Sequence, residues 1–216
     1  AARIYHAKRA FLLVNGATCG ILSAVKAVSN RGDKVIIARN CHTSVYHAAE
    51  LLGLRPEFLM PESATNDIYG CVDPSALEQQ LVDNPDAKLV IITSPTYEGI
   101  CSDLEAIARI CRSHGTRLIV DEAHGAHFAM HDSLPKSALA HGADLVINSI
   151  HKTLPSMTQT ALLHVQGERV DRRRLKKYLG ICKKHINQDI EISWRLNADG
   201  ASIKSGKIKL KDIPRK

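Results

Sequence analysis

The chain has 216 residues, 44% of them hydrophobic, a composition suited to one substantial core and unlike that of a disordered polymer. Its apolar runs are strand-sized and broken by charge, far short of the roughly 20 residues that a bilayer-spanning helix needs, and no charged-then-apolar leader opens it, so a cytoplasmic protein is expected. The net charge of +7 is unevenly spread: residues 1–165 hold 14 basic and 16 acidic side chains, residues 166–216 hold 15 and 6. That basic stretch carries only Tyr178 and Trp194 as aromatics, too few for a base-stacking platform, and nucleic acid is not the expected partner. Six scattered cysteines without a CxxC pair read as reduced packing residues.

Taken in order, the elements alternate. Phe11–Val14 is a short apolar strand that runs into the turn Asn15-Gly-Ala-Thr-Cys-Gly20 and then a helical pattern from Ile21 to Val28. Lys34–Ala38 is the next strand, His42 to Leu52 a helix stopped by Gly53, and Pro56–Met60 an extended segment. Asp73-Pro74 places a capping residue before a proline at the first helical position, and that helix ends before Asn84-Pro85. Lys88–Thr93, Arg117–Asp121 and Asp144–Asn148 are β-branched runs of the kind buried on both sheet faces, with an amphipathic helix, Ser102–His114, after the first. Thr160–Val165 is the last strand. The pattern predicts an α/β fold: a doubly wound, mostly parallel sheet with helices on both faces, whose ligand sits at the carboxyl ends of the strands.

Chemistry-bearing residues fall at those ends. The turn around Ala17, Thr18 and Cys19 opens a helix, where free N–H groups and the helix dipole suit a phosphate. Asp121 closes one buried strand and Lys152 follows another, in a stretch from Asn148 to Gln166 with no other Asp, Glu, Lys or Arg. A carboxylate and an amine so placed suit pyridoxal 5'-phosphate, the first for the pyridinium nitrogen and the second for the aldehyde. Ser149 and His151 are placed to help hold the phosphate, and His42 to stack on a flat ring or to start its helix. Asp121-Glu-Ala-His124 also spells a helicase box, but the GxxxxGK[ST] loop such an enzyme needs is missing; Gly206-Lys207 is followed by Ile208. His124 and His127 lack a third metal ligand at conventional spacing, so no metal is expected.

Phe11-Leu-Leu-Val-Asn-Gly16, Gly32-Asp-Lys-Val35, Arg39-Asn-Cys-His42, Ser94-Pro-Thr-Tyr97, Val120-Asp-Glu-Ala-His-Gly-Ala-His-Phe128 and Ser149-Ile-His-Lys-Thr-Leu-Pro155 together give residues 9–181 a specific resemblance. They resemble the large domain of the Orn/Lys/Arg decarboxylase family, in the aspartate-aminotransferase fold group. The resemblance implies Lys152 as the lysine that joins the cofactor aldehyde, Asp121 on the ring nitrogen, His42 over the ring and Ala123 under it. It places Ala17, Thr18, Cys19, Ser149 and His151 about the phosphate. It also implies decarboxylation of arginine, lysine or ornithine, with protonation at Cα by His151 or Lys152, and a homodimer or higher homo-oligomer whose sites form between subunits. An aminotransferase of the same fold, and an inactive domain with a basic tail, are the alternatives; Tyr97 and Glu98 are candidates to face a cationic substrate. The chain departs from the family pattern at Ala17-Thr18-Cys19, which offers fewer hydroxyls, and at Thr43, where lysine is common. The likeness stops after Ile181. The expectation is therefore a large domain over 1–181, incomplete at both ends, and a poorly ordered basic tail over 182–216.

Overall fold

The computed structural model describes residues 1–63 and 68–183; the expected tail lies, but for its first two residues, outside the described residues. Seven strands form one sheet: β1 (Arg9–Leu13), β2 (Lys34–Ala38), β3 (Arg55–Leu59), β4 (Leu89–Thr93), β5 (Arg117–Asp121), β6 (Leu145–Ser149) and β7 (Ala161–Val165). Their order is β1-β7-β6-β5-β4-β2-β3. Strands β3, β2, β4, β5 and β6 run parallel, whereas β7 is antiparallel to both β6 and β1. Two reversals restore direction, so β1 points the same way as β6. The turn after β1 therefore opens on the same sheet edge as the ends of β5 and β6.

Strands β4, β6 and β7 are buried at all five positions, as their near-continuous apolar sequences require of strands covered on both faces. Edge strand β3, by contrast, is exposed at its first four residues. The helices are α1 (Gly16–Val28), α2 (Thr43–Leu52), α3 (Pro74–Asp83), α4 (Leu104–Ser113), the short α5 (Ile150–Thr153) and α6 (Arg172–Lys183). Helix α1 packs with α2 and α6, and α3 with α4, giving the layered α/β architecture that the alternation predicts. Gly20 lets α1 approach the sheet, because a Cβ there would lie 2.8 Å from Leu13 Cδ1.

Several boundaries differ from the sequence reading, each for a local reason. Helix α1 starts at Gly16, five residues before the expected Ile21, since the glycine-rich turn is itself the first helical turn. Helix α4 starts at Leu104, because the Asp103 side chain accepts from Ala106 N at 3.0 Å and caps it there. Strand β6 reaches Ser149, which pairs with Ala161. Helix α6 is an addition: its polar, arginine-rich sequence hides an apolar side that buries Leu175 and Leu179. Of the cysteines, Cys19, Cys41 and Cys111 are buried, but Cys101 is exposed and Cys71 and Cys182 are half-buried, so packing accounts for only three.

Candidate active site

The ends of β1, β2, β5 and β6 enclose a cavity of about 200 Å³. Eight of the nine residues singled out from sequence line it: Ala17, Thr18, His42, Asp121, Ala123, Ser149, His151 and Lys152. Cys19 does not. It is buried in α1, one residue beyond the exposed Thr18, so its side chain is no part of the lining.

Asp121 ends β5 and is 3% exposed. Burial raises its carboxyl above the usual range, opposed by a hydrogen bond from Ala123 N to Oδ1 (3.1 Å) and by the positive charges of Lys152 and His42. A cation brought into the cavity would find a carboxylate already short of solvent. His42 is the N-cap of α2: Ser44 N donates to its Nδ1 at 3.2 Å and Ser44 Oγ lies 2.8 Å from the same nitrogen. The cap fixes the imidazole at the cavity wall.

Lys152 lies in α5, directly after β6, with Nζ 3.0 Å from His124 Nε2. The lysine is the donor there, so His124 presents an unprotonated Nε2. Burial and the Lys152 charge push His124 below the usual histidine range. Its ring also meets Tyr97 edge-on, with centroids 5.4 Å apart. A second cavity, about 470 Å³, is lined by Asn40, Thr93, Tyr97 and His124 together with His42, Asp121, Ala123 and Lys152. His151 Nδ1 is 3.0 Å from Thr160 O; a carbonyl only accepts, so Nδ1 is the donor.

Sequence reasoning missed several contributors. Ser44 and Gln159 also line the first cavity, as do Asn15 and Gly16 of the turn already read as a phosphate seat. Gln159 adopts φ of 64° and its carbonyl accepts from Gly16 N at 2.8 Å, tying the loop before β7 to the turn after β1. Only the positive φ of Gly16 (70°) had a sequence signal, the glycine itself. Glu122, wholly buried behind Asp121, accepts from Ala138 N (2.7 Å), Ser137 Oγ (2.8 Å) and Asn148 Nδ2 (3.0 Å), and burial pushes its carboxyl up to about 7. It clamps the segment after β5 to β6. Among the described residues no three His, Cys, Asp or Glu side chains gather as a metal site, and no helix is long and apolar enough to cross a membrane.

The family model for the Orn/Lys/Arg decarboxylase major domain matches residues 1–185. The chain belongs to this family. It is 40% identical over 181 residues to the uncharacterised protein YaaO of Bacillus subtilis, covering 83% of this chain and 38% of that one. Against the arginine decarboxylase of Bacillus subtilis it is 37% identical over 184 residues, covering 84% of this chain and 37% of the relative. The chain thus spans well under half the length of these relatives. Among solved structures, lysine decarboxylase A from Pseudomonas aeruginosa superposes with a TM-score of 0.74 at 25% identity, over 83% of this chain and 27% of that one. An aspartate aminotransferase from Thermus thermophilus gives 0.64 at 17% identity, over 81% and 47%, a likeness of fold alone.

Proposed function

We propose that this chain forms the pyridoxal phosphate-binding part of a decarboxylase acting on a basic amino acid. The observation that carries the reading is that Asp121 and Lys152, 31 residues apart in sequence, line one cavity with His42, Ala123 and a helix start. The residues present fit the cofactor. Burial raises the Asp121 carboxyl above its usual range, and a pyridinium N–H would give it a charged donor in that desolvated place. When bound, pyridoxal phosphate supplies an electron sink for the pair left as CO2 departs.

The chain's own groups divide the remaining work. The amine of Lys152 is the group for the aldehyde, and His124 Nε2 accepts one of its hydrogens and so aims it. Asp121, kept from water, holds a proton on the ring nitrogen by charge. The His42 imidazole, fixed by Ser44, and Ala123 would border the ring of the bound cofactor. The amides opening α1, with Thr18 and Ser149, hold the phosphate. His151, held at the cavity wall by the hydrogen bond from its Nδ1 to Thr160 O, is the side chain proposed to move a proton near Cα.

A second copy of the chain is the partner proposed at this edge. The exposed Tyr97 (83%), which lines the larger cavity, and Met157 (70%), in the loop between α5 and β7, offer apolar surface for it. Incubating the chain with pyridoxal phosphate and arginine, lysine or ornithine, and measuring released CO2 and amine, tests the reaction. A keto acid in place of CO2 would reassign the site to amino transfer.

A further inference from the structure

The opposite end of the sheet carries a second concave feature. A cavity of about 250 Å³ lies where β4 and β5 begin, walled by the end of α1 and the start of α6. Four basic side chains line it, Lys88, Arg117, Arg169 and Arg174, against two carboxylates, Asp33 and Asp171.

These charges are not equivalent. Arg169 is already committed: its Nε and Nη2 donate to the buried Asp144 at 3.0 and 2.6 Å. The two lining carboxylates are also engaged, with backbone amides. Asp33 accepts from Asn30 N at 2.7 Å, and Asp171 accepts from Arg173 N and Arg174 N at 2.8 and 3.1 Å. Among the described residues neither carboxylate lies within ion-pair distance of Lys88, Arg117 or Arg174. Arg117 Nε donates to Arg169 O (2.9 Å) and Arg174 Nη2 to Ser29 O and Asn30 Oδ1, which fixes both guanidinium groups in place. Three cations from three separate elements therefore border one hollow with two carboxylates that are held by backbone amides and lie beyond ion-pair distance of them, and two of the cations are already oriented.

We propose that this hollow binds a small phosphate-type oxyanion, held by Lys88, Arg117 and Arg174. Three cations against two lining carboxylates leave the hollow net positive, which suits an oxyanion, and pre-oriented guanidinium forks match phosphate oxygens. The site is distinct from the candidate active site. Arg117 and Asp121 are the first and last residues of β5, about 13 Å apart along a strand rising about 3.3 Å per residue.

Calorimetric titration of the full chain with inorganic pyrophosphate and with orthophosphate, at fixed ionic strength, tests this. Binding should weaken at least about tenfold in Lys88→Gln/Arg117→Gln, the scale expected for losing charge-assisted hydrogen bonds. A folded double variant, confirmed by circular dichroism, that binds as tightly as the parent would overturn the proposal and move the anion to the basic stretch 184–216 or to the α1 turn. Absence of binding to either probe by the parent chain would overturn it as well. Acetate at equal concentration should compete weakly, and acetate binding as tight as pyrophosphate would contradict the phosphate assignment.

Discussion

Lys152 Nζ sits 3.0 Å from His124 Nε2, although 28 positions separate the two residues. The contact exists because Asp121 ends β5, His124 lies in the turn just beyond, and β5 pairs with β6, which delivers Lys152 to the adjacent strand end. An acceptor at that place keeps the amine directed into the cavity. His124→Phe should slow reaction of Lys152 with pyridoxal phosphate about five- to tenfold, the worth of one hydrogen bond, whereas His124→Gln, which keeps an acceptor, should recover most of the rate. Stopped-flow absorbance of adduct formation measures both.

Asp121→Ala should weaken cofactor affinity by tenfold or more, since a protonated ring nitrogen loses its only buried counter-charge on β5. Asp121→Asn should do the same while keeping the side chain's shape, which separates charge from packing. Equilibrium titration followed by absorbance gives the affinities. An Asp121→Asn chain that binds as tightly as the parent would remove the carboxylate from the account.

Glu122 predicts a pH dependence of stability. Its folded-state carboxyl is raised to about 7 from 4.5, so between those values the native state keeps a proton that the unfolded chain has released. The proton's contribution is fully present below about pH 4.5, and stability falls as pH rises toward and through 7, by up to about 3 kcal/mol. Glu122→Gln removes this titration. Urea unfolding at pH 4.5 and pH 8 should show a smaller loss in the variant than in the parent, and equal losses would contradict the assignment.

Gly20 predicts a packing cost. A methyl group there would stand 2.8 Å from Leu13 Cδ1 and 3.3 Å from Ile147 Cγ2, both in strands buried against α1. Gly20→Ala should destabilise the chain by about 1–3 kcal/mol despite the higher helix propensity of alanine. The shift in urea midpoint at constant slope reports it.

Much of this was legible in the chain. The run Leu89–Thr93 and the Leu118-Ile-Val120 centre of Arg117–Asp121 are apolar and rich in β-branched residues, as strands covered on both faces are, and a parallel sheet then sends Asp121 and Lys152 to one edge. The family motifs added roles to those positions. What stayed hidden depends on contacts between distant segments. Nothing in Gln159 announces a left-handed backbone that accepts from Gly16 N, because the loop geometry is imposed by β7 pairing with both β1 and β6. Glu122 reads as an exposed acid beside Asp121; its burial follows only once Ser137, Ala138 and Asn148 supply donors. His124 had no role in the sequence reading beyond lacking the companions of a metal site, and its contact with Lys152 emerges only where the end of β6 puts the amine beside it. Helix α6 was obscured by its arginines, of which Arg172 and Arg173 are exposed, while Leu175 and Leu179 turn in.

The central claim is that the amine at position 152 meets a pyridoxal aldehyde in this cavity. Incubation of the full chain with pyridoxal phosphate, borohydride reduction and peptide mapping by mass spectrometry tests it most directly. The account predicts a phosphopyridoxyl group concentrated on Lys152, with the absorbance of the bound cofactor lost in Lys152→Ala. Label scattered over other lysines, at a level unchanged by Lys152→Ala, would contradict it.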